Sequence, residues 1–299
     1  MGASSGIYDE MFDAVIVGGG PAGASCAVWL ARLGFAPALI EAADEPGGLC
    51  RSHSYLDEWN ASLPGMTGIQ VADNLARSLR QAGVPLWLSC RVERIDADAQ
   101  GFTLRAAGME QPLRGRCVVL ASGVLPRARA QFGGLPGVLV GPGRHVSDHD
   151  FSGEKVAVLG GGDNGFENAL YALEHGARSV DLYARTVRAQ RQFVQRLPPS
   201  LVHVGDYSVD AARRAVNGVE YDLLMVFYGW EPCADYAESL GLRRNAQGFI
   251  ATDAQTAQTS HPGVYAIGEV AQRQHPCVVT ALADGVTAAK AIQARLEAA

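Results

Sequence analysis

The chain has 299 residues, a formal net charge of −6, 48% hydrophobic and 19% charged residues. That balance suits a folded protein large enough for two cores, and it excludes a disordered chain or a basic nucleic-acid binder. No apolar run reaches the roughly 18–20 residues that cross a bilayer; residues 1–12 carry Asp9 and Glu10 with no apolar signal core, and Gly6 breaks the myristoylation pattern, so a cytoplasmic protein is expected.

Residues 13–17 read as a buried strand. Residues 22–33 read as a helix whose small residues Ala22, Gly23, Ala24 and Ala27 face a sheet, with Gly34 as its C-cap. Between them stands Gly18-Gly19-Gly20-Pro21-Ala22-Gly23, a G-x-G-x-x-G at a strand-to-helix junction. In such a loop Gly18 allows the tight turn, Gly20 lets backbone approach a pyrophosphate, and Gly23 lets helix and strand close. The free N–H groups of the helix then face the phosphates. The next strand, Ala38-Leu39-Ile40, ends in Glu41, 23 residues past Gly18. An acid there accepts hydrogen bonds from adenosine ribose hydroxyls. Residues 67–82 read as an amphipathic helix with Ile69, Val71, Leu75 and Leu79 inward. Residues 84–116 alternate in short runs, which predicts a small antiparallel sheet.

The glycine signature returns about 140 residues later as Gly160-Gly161-Gly162-Asp163-Asn164-Gly165, after the strand pattern Val156-Ala157-Val158-Leu159. Residues 166–175 read as a helix stopped by Gly176, and residues 179–183 as the next strand. An NAD site would place an acid at that strand's end. The residues there are Ala184, Arg185 and Thr186, with Arg188 and Arg191 close behind. A 2′-phosphate needs cations, and Arg offers it a fork of donors. The reading is NADPH; NADH, or a degenerate site that binds no nucleotide, are the alternatives. Two cradles in one chain point to a protein that passes electrons between two cofactors.

Further landmarks carry a resemblance: the run 41–49 (Glu-Ala-Ala-Asp-Glu-Pro-Gly-Gly-Leu), Glu58-Trp59, Pro64-Gly65-Met66-Thr67-Gly68, the run 117–123 ending Ala121-Ser122-Gly123, and Gly263 to Val270 ending Gly268-Glu269-Val270. In this order they resemble low-molecular-weight thioredoxin reductases, of the two-dinucleotide flavoprotein superfamily. The resemblance implies FAD extended across the first domain. It assigns the contacts to Gly18, Gly20, Pro21, Ala22, Gly23, Glu41, Gly48, Leu49, Val92, Ala121, Ser122, Gly123, Gly268, Glu269 and Val278. Glu269 replaces the usual Asp of that motif. An alanine-rich helix from Val278 to about Leu296 would point its N-terminus at the flavin pyrimidine edge, where its partial positive charge would stabilise the reduced ring. For NADPH it assigns Gly160, Gly162, Asp163, Asn164, Gly165, Arg185 and Arg188. Glu167 matches a family acid on the first helical turn.

Thioredoxin reductases carry Cys-x-x-Cys just before the second glycine loop. The matching stretch 143–151 has no cysteine, and the six cysteines of the chain form no C-x-x-C pair. A thiolate that attacks and a thiol that resolves are both needed for disulfide reduction, so the usual route to thioredoxin is lost. Cys50 stands near the first redox-cysteine position of the glutathione-reductase branch, with Tyr55 where its partner would be. Cys277 stands where thioredoxin reductases place Gln against the flavin. Both are candidate catalytic residues, set against a plain packing role. His145 and His149 flank Asp148, which invites a metal or proton-relay reading against that of a solvated loop.

The expected architecture is α/β with two Rossmann-like domains. The FAD domain is discontinuous, 1–117 plus 234–299, with the antiparallel insert, and the NAD(P)H domain is 118–233. The expected function is an FAD-dependent NAD(P)H oxidoreductase that passes electrons directly to an outside acceptor: ferredoxin or flavodoxin, a quinone or another small molecule. The rivals are an FAD-dependent oxidase or oxidoreductase of a small metabolite with a vestigial second cradle, and a non-catalytic flavin-binding sensor. The resemblance further implies a homodimer.

Overall fold

A computed structural model describes residues 11–52 and 56–298. The readings that concern residues 1–10 and Tyr55 lie outside the described residues. The chain divides into two compact units, Met1–Val124 with Pro232–Ala299, and Leu125–Glu231.

The first unit opens with β1 (Met11–Val17), α1 (Pro21–Arg32), β2 (Pro37–Ile40), α2 (Gly68–Gln81), β3 (Leu86–Trp87), β4 (Arg91–Asp98), β5 (Gly101–Ala107) and β6 (Leu113–Leu120). β1 lies between β2 and β6 in parallel, with β3 parallel outside β2. Strands buried on both faces read as continuous apolar runs, and Ala14 to Val17 and Cys117 to Leu120 are such runs. The antiparallel strands expected over 84–116 are β4, β5 and the start of β6. They extend the parallel sheet rather than forming a separate one, because residues 113–115 of β6 pair with β5 while β6 also pairs with β1. β6 is thus one strand of the first unit throughout. A domain boundary at 117/118 would cut it in half, and the division falls after Val124 instead.

α2 begins with a capping box. Thr67 Oγ1 accepts from Gln70 N–H at 3.3 Å, and Gln70 Oε1 accepts from Thr67 N–H at 2.9 Å. Its buried face is Val71, Ala72, Ala76 and Leu79. Ile69 and Leu75, expected inward, sit half-buried at its margins, because small alanines take the centre of the stripe.

The second unit is entered through β7 (Val124–Pro126). It contains α3 (Arg129–Phe132), β8 (Val138–Val140), α4 (Arg144–Ser147), β9 (Lys155–Leu159), α5 (Asp163–Glu174), β10 (Ser179–Ala184), α6 (Arg191–Arg196), β11 (Val202–Val204), the three short strands β12 (Val209–Asp210), β13 (Ala215–Val216) and β14 (Val219–Glu220), and β15 (Leu223–Val226); the chain leaves through β16 (Trp230–Pro232). Its parallel sheet runs β11-β10-β9-β15-β8. α5 starts at Asp163, three residues before the expected start. Alternate residues of β9, β10 and β15 face two different cores. Val156, Val158, Leu182 and Met225 pack with Phe166 and Ala169 of α5. Ala157, Leu159, Tyr183, Leu224 and Val226 pack with Val216 of the small antiparallel sheet.

The chain returns to the first unit with β17 (Val264–Ala266), parallel to β6, and α7 (Val278–Glu297). α7 lies so close to α1 that a Cβ at Gly285 would come 2.5 Å from the Ala22 carbonyl oxygen.

Candidate dinucleotide sites

Both glycine loops show the same division of labour. A Cβ at Gly18 would meet the Ala121 carbonyl oxygen at 2.4 Å, and one at Gly23 the Gly18 oxygen at 2.0 Å. In the second unit a Cβ at Gly160 would meet the Phe227 oxygen at 2.2 Å, and one at Gly165 the Gly160 oxygen at 2.1 Å. These glycines let strand, helix and neighbour close. The middle glycines differ. Nothing lies within 4 Å of a Cβ at Gly162, and at Gly20 only the Gly48 Cα approaches, at 3.8 Å. The space in front of them is open, and Gly20 and Gly162 are the N-caps of α1 and α5 with no side chain capping the first-turn amides. Each loop therefore offers unsatisfied N–H groups and positive helix charge to a phosphate. The residues present fit two dinucleotides.

In the first unit Glu41 Oε2 accepts from Gly19 N–H at 2.6 Å, and Oε1 from Ala43 N–H at 2.8 Å. A carboxylate has about four acceptor sites, so each oxygen keeps capacity for a ribose hydroxyl. Gly48 packs on Gly20, and Ala22 on Gly268, where a Cβ would come 2.9 Å from that of Ala22. Ser122 Oγ donates to the Cys233 carbonyl at 2.5 Å and lies 2.8 Å from Tyr236 Oη, which ties the end of β6 to the returning chain. Val92 is buried in the core of the first unit, and Leu49 is exposed.

Gly268 is held from beneath. Its N–H donates to Asp284 Oδ2 at 3.1 Å, and Asp284 Oδ1 accepts from Arg273 Nε at 3.0 Å. Arg273 also donates to the carbonyls of Asp253 and Ala254, both at 2.6 Å. This ion pair is 7% and 8% exposed. Sequence reading missed it, since Arg273 and Asp284 look like ordinary surface charges; their one signal is that Asp284 interrupts an alanine-rich helix. Glu269 is half-buried, and that burial pushes its carboxyl above the usual range.

Cys277 is the N-cap of α7. Its Sγ accepts from Thr280 N–H at 3.5 Å, and its own N–H donates to Thr280 Oγ1 at 3.2 Å. It lines a small open pocket with Glu269, Arg273 and Asp284, and Val278 opens the helix beside it. Cys50 is buried against Val71 and Ala72 with Val278 at the edge. Burial first, then the charges of Asp57 and Glu269, push its thiol up to about 12. It therefore stays a thiol at neutral pH, and a thiolate is the form that attacks. All six cysteines are free.

In the second unit, equivalent hydrogen bonds align the two cradles. Gly18 N–H donates to the Ile40 carbonyl at 2.8 Å and Gly160 N–H to the Tyr183 carbonyl at 2.9 Å. The residue after Ile40 is Glu41, and the residue after Tyr183 is Ala184, so the acid at the end of the first cradle's second strand has an alanine as its counterpart. Arg185 and Arg188 follow, both exposed. The Asp163 carboxylate turns to Gln190: Oδ1 accepts from its N–H at 2.7 Å, Oδ2 from Nε2 at 3.0 Å. Asn164 gives its carbonyl to Asn168 Nδ2 at 2.8 Å. Glu167 has its carboxyl raised by burial and by Asp163.

His145 and His149 do not converge. His145 Nε2 donates to the Gly141 carbonyl at 3.0 Å, while His149 Nε2 lies 2.8 Å from Glu154 Oε2, with its ring edge-on to Phe151. Among the described residues no group of His, Cys, Asp and Glu could hold a metal, and no helix is long and apolar enough to cross a membrane.

Two dinucleotide cradles, each at the carboxyl end of its own parallel sheet, define a two-cofactor oxidoreductase. Residues 12–203 and 199–285 match the pyridine nucleotide-disulphide oxidoreductases, and the chain belongs to that family. It is 31% identical over 293 residues to the ferredoxin–NADP reductase of Limosilactobacillus fermentum, across 87% of this chain and 86% of that protein. It is 24% identical over 314 residues to the thioredoxin reductase of Bacillus subtilis, across 97% and 96%. The thioredoxin reductase structure from Lactococcus lactis superposes with a TM-score of 0.82 at 24% identity, covering 96% of this chain and 100% of that one. The bacillithiol disulfide reductase of Bacillus cereus gives 0.79 at 18% identity, covering 96% and 100%. The chain is a thioredoxin-reductase-like, FAD-dependent NAD(P)H oxidoreductase with FAD and NADPH as cofactors.

Proposed function

We propose that this enzyme passes electrons from NADPH through FAD directly to an external acceptor, with no protein dithiol in between. The carrying observation is that 143–151, where the resemblance places the reductase dithiol, contains no cysteine. The raised thiol of buried Cys50 supports the same reading. The acceptor is a redox protein of the ferredoxin or flavodoxin type, or a small molecule such as a quinone; the likeness to a ferredoxin–NADP reductase favours the protein acceptor. We place the enzyme in the cytoplasm as a homodimer.

When bound, FAD supplies the two-electron chemistry, and the protein contributes positioning and charge. Gly18, Gly20 and Gly23 bring the first-turn amides of α1 to the FAD pyrophosphate. Glu41 accepts from the ribose hydroxyls. Gly268, whose N–H is held by Asp284, and Glu269 would meet the middle of the cofactor, with Pro21, Ala22, Gly48, Leu49, Val92, Ala121, Ser122, Gly123 and Val278 as the further residues that would hold it. The N-terminus of α7, at Cys277 and Val278, would place its partial positive charge toward the flavin when FAD is bound; Cys277 acts as its cap. Gly160, Gly162 and Gly165 do for NADPH what their counterparts do for FAD, and Arg185 and Arg188 pair with the 2′-phosphate.

Anaerobic titration with NADPH tests this. The flavin absorbance bleaches at one NADPH per flavin, since a hydride carries two electrons and no disulfide stores two more. Ferredoxin or a quinone then restores it. Two NADPH per flavin, or no bleaching with either nicotinamide, would sink the proposal. Arg185→Ala weakens NADPH about tenfold or more and NADH little, measured by KM; equal effects would remove Arg185 from the 2′-phosphate.

A further inference from the structure

The loop that bears Arg185 and Arg188 is not free to find its own place. It folds back over the second glycine loop. Arg188 N–H and Ala189 N–H both donate to the Gly161 carbonyl, at 2.7 and 3.0 Å. The Thr186 carbonyl lies so close that a Cβ on Gly161 would approach it to 2.1 Å. The middle glycine of Gly-Gly-Gly is thus required by this loop, not by the pyrophosphate. At the loop's far end stands Asp163, the first residue of α5, with each carboxylate oxygen accepting one hydrogen bond from Gln190.

A carboxylate on the first turn of a helix that cradles phosphate is at odds with anion binding. It shares the positive end of α5 with the pyrophosphate and repels it. Its geometry supplies a different use. Two hydrogen bonds to one residue fix both the backbone and the side chain of Gln190, two residues after Arg188, and the paired amides on Gly161 fix residues 188 and 189. The 185–190 loop is therefore pinned at two points to the same loop that would grip the pyrophosphate.

We propose that Asp163 is a positioning residue for cofactor choice. By holding Gln190 it sets the distance between the pyrophosphate cradle and the arginines that meet the 2′-phosphate, and so it determines how strongly NADPH is preferred over NADH. The inference rests on the NADPH reading above. In the first cradle the matching distance is set by Glu41 itself, which touches the glycine loop at Gly19 N–H. In the second, Ala184 has only a methyl, which makes no hydrogen bond to the loop, and Asp163 reaches across from the helix instead.

The test is binding of 2′,5′-ADP and 5′-ADP to the FAD-loaded full chain by calorimetry. These probes differ only in the 2′-phosphate, and binding needs no turnover. Asp163→Ala lowers the ratio of 2′,5′-ADP to 5′-ADP affinity at least about fivefold. Asp163→Asn keeps the ratio within about twofold of wild type, because an amide oxygen still accepts from Gln190 N–H and a flipped Gln190 amide can accept from the new NH₂. An unchanged ratio in Asp163→Ala, equal weakening of both ligands, or an Asp163→Asn ratio as low as that of the alanine variant each overturns the proposal. A wild-type protein with no preference for 2′,5′-ADP overturns the NADPH reading first, and the role of Asp163 falls with it.

Discussion

Two residues at the Gly268 turn carry unlike burdens. Glu269 is an acid whose folded-state carboxyl sits above the ordinary range because burial penalises its charge. Its neutral form is favoured in the folded chain. That share of stability is complete below the unfolded pKa and is lost as pH rises through the folded one. Glu269→Gln has no such loss. Its melting temperature relative to wild type rises between pH 4 and 8, and the gap closes toward the acid end; a pH-independent difference would show a solvated carboxyl. Arg273, by contrast, is a buried cation whose removal strands Asp284. Arg273→Ala costs about 3–5 kcal/mol by chemical denaturation and releases FAD from the purified protein. A variant as stable as wild type would mean that the pair is open to water.

At the scale of elements, the helices divide into those positioned by their ends and those positioned by their faces. α1 and α5 begin at the two glycine loops, with Gly20 and Gly162 as N-caps and no side-chain cap, which leaves their first-turn amides open to the phosphates proposed there. α2 is instead closed by its own Thr67–Gln70 box. Thr67→Ala therefore costs about 1 kcal/mol in urea unfolding and leaves FAD affinity unchanged; a weakened FAD site would show that α2 reports on the cofactor. The strand-to-helix units with their glycines and Glu41 are legible in sequence because each is local: period, turn chemistry and acid all fall within about thirty residues. α5 is legible too, but its first turn is not, because Asp163 and Asn164 have the composition of loop residues.

At the scale of the whole molecule, two units with separate cores and separate ligands follow from the repeated motif. A ligand that binds only the folded form raises the stability of the part that binds it. In calorimetry, FAD shifts the unfolding of the first unit, and 2′,5′-ADP shifts that of the second. One cooperative transition moved equally by both would show that the units unfold together.

The sequence alone determined the two cradles, the acid in one and its absence from the other, and the lack of a C-x-x-C pair, because these depend on residues close together in the chain. The tertiary structure decided what depends on distant residues meeting. β6 is a single strand of the first unit only because β1, β5 and β17 pair with it. Arg273 and Asp284 are a buried pair only because α7 packs on α1 beside the Gly268 turn. Asp163 meets Gln190 only because the arginine loop folds back over the glycines. Hydrogen bonds and burial between such segments leave no periodicity for a sequence to show.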